Sequence, residues 1–122
     1  MGERDKIAMR AAQEIKSGMI VNLGIGIPSL VANYIDAKQH VFFHAENGIL
    51  GISNAPQQGH EDENLCNAGG LPVTLKTGGS YFDSATAFMM IRKGKVDMTI
   101  LGALQVSQTG DLANWIFPCK KV

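Results

Sequence analysis

Apolar residues recur at helical spacing between residues 3 and 17, where Ile7, Ala8, Ala11, Ala12 and Ile15 share one face and Gly18 stands as a C-terminal cap. The next apolar run, MIVNL (19–23), has the length of a buried strand, and the GIG after it makes a tight loop. Pro28 suits the first turn of a second helix, reaching to Tyr34. VFFHA (41–45) predicts another strand. From Glu46 to Gly70 the chain is irregular and rich in Gly, Asn, Gln and acids, and long loops of this kind are usually functional or mobile. LPVTL (71–75) predicts a strand, and GGSYFDS leads to a helix from Asp83 or Ser84 to Arg92, closed by Lys93 and Gly94. VDMTILGALQV (96–106) is strand-like with a break at Gly102, Gln108–Asp111 is a turn, and LANWIF (112–117) is extended.

Strands alternating with helices predict an α/β fold, with an open, mostly parallel sheet covered by helices on both faces. At 122 residues the chain makes one domain, 1–122, with length enough to bury a core. In such sheets ligands bind beyond the carboxyl ends of the strands, where Gly24 and Glu46 fall.

Composition narrows the function. Eleven basic and eleven acidic residues cancel, and no Lys/Arg run appears, which argues against nucleic acid or an anionic membrane as partner. No apolar stretch approaches the roughly 20 residues of a membrane span, and the mixed-charge N-terminus lacks the apolar segment of a signal peptide. Cys66 and Cys119 are far apart and form no CxxC, which fits a reduced, cytoplasmic protein.

Several stretches are candidates for chemistry. In LGIGIP (23–28) the amides after Gly24 and Gly26 can meet a phosphate or carboxylate, but Ser29 stands where a dinucleotide fingerprint needs its third glycine. His40, His44, His60 and Cys66 match no standard metal spacing and read as scattered surface and core residues. GHEDEN (59–64) lacks the ligand order of a calcium loop, and Met89 and Met90 read as core filler. FHAENGILG (43–51) is different. Glu46 ends an almost wholly apolar strand, where a carboxylate is poorly hydrated and more nucleophilic, and Asn47-Gly48 tolerates a left-handed turn that would lift it off the sheet edge. Asn47 also offers an amide to a developing oxyanion, and covalent catalysis by a carboxylate is an established mode. The competing reading is a plain hairpin-like turn.

FHAENGILG resembles the active-site signature of the β subunit of family I coenzyme A transferases. NLGIGIPSLVANYI (22–35), LCNAGG (65–70), SYFDSATAFMMIRKGKVD (80–97) and LGALQVSQTGDLANWIFP (101–118) resemble the same subunit in the same order, of the acetoacetate, butyrate or succinyl 3-oxoacid type. The resemblance implies a ping-pong exchange of CoA between an acyl-CoA and a free short-chain or 3-oxo acid, through a glutamyl-CoA thioester on Glu46. It implies no metal or redox cofactor, since CoA thioester is a substrate, and an α subunit as partner, usually as α2β2. Gly24, Gly26, Gly48 and Gly51 would let substrate approach the backbone, Asn22 and Asn47 would be polar contacts near the glutamate, and Asp111 and Asn114 would shape the pocket. Ala45, where many members have serine, Ile52–Pro56, Gly70 and Cys119 depart from the family pattern. The chain also stops at KKV, where members continue into a glycine-rich stretch, so it resembles the N-terminal part of such a subunit. The alternatives are an inactive truncated interaction or structural module that keeps the fold, and a sugar-phosphate isomerase of related fold.

Overall fold

The computed structural model describes residues 2–116, so Cys119 and the end of the predicted LANWIF segment lie outside the described residues. Helix α1 (Glu3–Ala12) leads to β1 (Ile20–Leu23), a short helix α2 (Ile27–Leu30) with a 3-10 continuation over Val31–Tyr34, and β2 (Phe42–Ala45). Then come β3 (Ile49–Ile52), β4 (Leu75–Tyr81), α3 (Ser84–Arg92), β5 (Met98–Ile100), β6 (Gln105–Val106) and β7 (Leu112–Ala113).

Five strands form one sheet in the order β4-β3-β2-β1-β5, and β6 and β7 form a separate hairpin. β1 runs parallel to both β2 and β5, while β3 is antiparallel to β2 and to β4. β4, reversed against a reversed strand, therefore points the same way as β1, β2 and β5. Only β3 runs against the rest, so the sheet is mostly parallel in strand direction and the fold is α/β.

Side-chain alternation assigns the two faces. Val21, Leu23 and Phe43 point to one face, where they join Ala8, Ala12, Ile15 and Val31 in the main core. Asn22 and His44 point to the other, where the His44 ring stacks on Phe82 just before α3, with ring centroids 5.8 Å apart. Helices therefore cover both faces: α1 and α2 one, α3 the other.

Several predicted boundaries move. The first helix ends at Ala12 rather than residue 17, because Gln13, Glu14 and Ile15 bond back three residues to Arg10, Ala11 and Ala12. This tightened turn drops Ile15 into the core, and Gly18 serves the reversal into β1 instead of capping the helix. The expected strand at 71–75 is displaced to 75–81. Over 71–74 the chain instead crosses the long loop, with an isolated bridge from Cys66 to Pro72. The stretch 46–70 is not wholly irregular, because ILGI forms β3. Met89, expected in the core, is 53% exposed, and Ala87 is the fully buried residue of α3.

Candidate active site

β2 and β3 are joined by only three residues, Glu46, Asn47 and Gly48, with Ala45 paired to Ile49. The Gly48 N–H donates to the Ala45 carbonyl at 3.0 Å, closing the turn. Gly48 has φ +113°, a conformation L side chains rarely adopt. Its carbonyl accepts from Phe82 N–H at 3.0 Å, so the turn is laced to the segment entering α3. The hairpin turn weighed in the sequence is present, and Glu46 is its first residue. The turn lies at the carboxyl ends of β1 and β2, and it presents the half-buried Glu46 there.

Asn22 stands beside His44 in the parallel β1–β2 register. Both are buried, at 2% and 0% exposure. The Asn22 Nδ2 lies 3.0 Å from His44 Nδ1, donates to the His44 carbonyl at 3.4 Å, and reaches Glu46 Oε2 at 3.5 Å. A carboxylate, an amide and an imidazole thus meet at the end of two adjacent strands.

Burial lowers the His44 pKa from its ordinary 6.5, outweighing the Ala87 backbone and the Glu46 charge, which both act to raise it. The native protein therefore resists protonating His44, while the unfolded chain takes up a proton at about 6.5. The stability this contributes is complete above that value and is lost as pH falls below it. Urea unfolding at about pH 7.5 and about pH 5.5 should show a larger acid loss for the wild type than for His44→Asn.

The other predicted site residues divide. Asn47 is exposed and donates to the Cys66 carbonyl at 2.8 Å, pinning the long loop to the turn rather than pointing its amide at Glu46. Gly24 is buried at the end of β1, its N–H donating to the Ile100 carbonyl at 3.0 Å, and Gly26 is exposed at the start of α2. Gly51 is the extra residue of a β-bulge opposite Phe43 and His44, and a Cβ there would meet Gly79 Cα at 2.9 Å. Close strand packing therefore accounts for glycine at 48 and 51. Asp111 accepts from Thr109 Oγ1 at 2.7 Å, and Asn114 Oδ1 accepts from Leu104 N–H at 2.8 Å; both bonds organise the β6–β7 hairpin.

On the opposite face of the sheet, a cavity of about 210 Å³ opens beside Leu23 and Ala45, walled by Leu30, Ile52, Asn67 and Val73. Glu46 does not line it. His40 and His60 are exposed and His44 is enclosed, so the three histidines do not converge. Sequence reasoning missed His44 as a member of the site. The available signal was a lone imidazole inside an otherwise apolar strand, two residues before the glutamate.

Comparison with known proteins decides the family. Residues 4–122 match the family model described as coenzyme A transferase. The chain belongs to the coenzyme A transferase family. It is 64% identical, over its whole length and 56% of the relative's, to a protein of Bacillus subtilis (strain 168) named as the probable β subunit of a coenzyme A transferase. It is 50% identical, over 98% of its own length and 57% of the relative's, to one subunit of the succinyl-CoA:3-ketoacid coenzyme A transferase of Helicobacter pylori (strain ATCC 700392 / 26695). The chain thus spans about half the length of these curated relatives. The fold is similar to that of the acyl-CoA transferase YdiF of Escherichia coli O157:H7, with a TM-score of 0.68 at 22% identity, covering 96% of this chain and 20% of that one. The expected membership and fold class are borne out.

Proposed function

We propose that the chain carries the nucleophile of a CoA-transferase, moving coenzyme A between an acyl-CoA and a short-chain or 3-oxo carboxylic acid. The observation that carries this reading is the placement of Glu46 on a backbone-locked turn at the carboxyl ends of two parallel strands, with Oε2 3.5 Å from the Asn22 amide. Membership of the family and the names of its relatives, several of them succinyl-CoA:3-ketoacid transferases, support the substrate class.

The Glu46 carboxylate attacks the thioester carbonyl, the C–S bond breaks, and CoA leaves as thiolate from an acyl-glutamyl anhydride. The thiolate then attacks the glutamyl carbonyl, releasing the first acid and leaving a glutamyl-CoA thioester. The acceptor acid enters and the two steps run in reverse. Each displacement develops negative charge on an oxygen of the glutamyl or acyl carbonyl, and a preorganised N–H donor lowers that barrier. The Asn22 amide is suited to the glutamyl oxygen. Binding along the remainder of CoA can be spent at the reacting centre. The chain's half of the site works with an α subunit, two copies of each.

Trapping tests the reading. The assembled enzyme, incubated with acyl-CoA and no acceptor acid, should gain a CoA adduct on the peptide containing Glu46, detected by mass spectrometry. An unmodified peptide with the α subunit present would favour a catalytically silent module. Proton exchange at a sugar carbon without an adduct would favour an isomerase.

A further inference from the structure

His44 is fully buried, and the steps above give it no part. Its surroundings define what it can do. Three acceptors surround one terminal atom of Asn22: the ring Nδ1 at 3.0 Å, the His44 carbonyl at 3.4 Å and Glu46 Oε2 at 3.5 Å. An amide oxygen at that point would face a carbonyl and a carboxylate with no proton between them, so the atom is the NH2 group. A donor at 3.0 Å requires a bare lone pair on Nδ1, which puts the ring proton on Nε2. Nε2 meets no partner at ordinary hydrogen-bond distance among the described residues; the Ala87 backbone acts on the ring from farther off, and the ring lies against Phe82.

We propose that His44 is a positioning residue for Glu46: its unprotonated Nδ1 accepts one Asn22 amide proton and so turns the other toward the His44 carbonyl and the Glu46 carboxylate. The inference rests on the reading of Glu46 as nucleophile. His44 never meets substrate; it fixes which end of the Asn22 amide faces the reacting carboxyl group. Without an acceptor at that point the amide can rotate and present its oxygen, which repels the carboxylate and gives nothing to a developing oxyanion.

The test uses the assembled transferase with the full-length chain. Asparagine and leucine branch alike at Cγ, and both remove the ring, but only asparagine offers an acceptor where Nδ1 stood. His44→Leu should lower kcat roughly 10- to 100-fold, the range expected when a reacting group is misplaced by about 1 Å. It should leave the KM for acyl-CoA within about twofold, because the contact acts on the reacting carboxylate rather than on CoA. His44→Asn should restore most of kcat. Nitrogen-15 NMR of the wild-type imidazole should show the Nε2–H tautomer, a readout that does not need either variant to fold. An Nδ1–H tautomer would overturn the proposal, as would wild-type kcat in His44→Leu. Equal losses in both variants, tracking equal losses of Tm, would also overturn it by showing a purely structural role. Failure of the nucleophile reading is seen separately, as turnover surviving in Glu46→Ala, and leaves the tautomer result unchanged.

Discussion

If Glu46 is the nucleophile proposed above, Glu46→Ala should remove CoA transfer from the assembled enzyme, with kcat falling roughly 10⁴-fold or more, the scale of losing a covalent nucleophile. That corresponds to about 5.5 kcal/mol of transition-state stabilisation. Two further substitutions separate the chemistry from the fold. Glu46→Gln keeps the size and the contact with Asn22 but is not a nucleophilic carboxylate, and it should be as inactive as alanine. Glu46→Asp keeps the charge but withdraws it by one C–C bond, about 1.5 Å, from the Asn22 amide at 3.5 Å. It should fall between the two extremes, since misplacement of about 1 Å costs on the order of 10²-fold. Steady-state transfer assays read the effect, and unchanged circular dichroism and Tm show that the turn survives. Exchange at the wild-type rate in Glu46→Ala would rule out a glutamyl intermediate.

Gly48→Ala should be the most damaging change of a single methyl group. The residue holds φ +113°, and a Cβ built there overlaps the carbonyl oxygen of Phe82. Neither backbone can retreat cheaply. Gly48 is tied to Ala45 on one side and accepts from Phe82 N–H on the other, each at 3.0 Å. Strained backbone alone costs about 1–3 kcal/mol, and relief of the overlap must break one of these bonds. A loss of about 3 kcal/mol or more is expected, read as a shift in the urea midpoint at constant slope. Transfer activity should fall along with it, because the same turn holds Glu46. Gly18→Ala is the control: its φ is also positive, at +82°, but a Cβ there meets nothing within 4 Å. Equal midpoints for the two variants would show that strain, not the Phe82 contact, sets the cost.

Much of this organisation is legible in the sequence. IVNL and FFHA read as buried strands because nearly every position is apolar, and in the structure the strands β1 and β2 are enclosed on both faces. Asp83 announces α3, and its carboxylate does accept from Thr86 N–H at 2.7 Å. Glu46 stands out because an acid at the end of an apolar strand is poorly hydrated, although a plain turn accounts for it equally well until the longer family pattern is read. β3 is hidden for the opposite reason: ILGI is four residues long and contains a glycine, so it carries neither alternation nor length. β4 is hidden because LKTGGSY is polar and glycine-rich, and its two central glycines belong to the irregular pairing with β3. Adjacency alone assigns Asn47 to Glu46, whereas its amide goes to Cys66, a contact across 19 residues that no local pattern reveals. His44 is easily passed over because a lone histidine is usually bland, and only the β1–β2 register brings Asn22 to its ring.

The three-residue connection between β2 and β3 separates two kinds of information about the site. The Glu46 turn is closed locally, by Gly48 N–H on the Ala45 carbonyl, since so short a loop costs little chain entropy and hairpins form in about 1–10 μs, and Phe82 fixes it later from across the chain. What surrounds the carboxylate is written at long range: Asn22 is 24 residues away, and its arrival needs the parallel β1–β2 pairing. A chain that has formed the hairpin but not that crossover holds a correctly bent but solitary glutamate. On the proposed reading, competence for chemistry arrives with the slower, non-local step, and variants that loosen β1 should lose the Asn22 contact before they lose the turn.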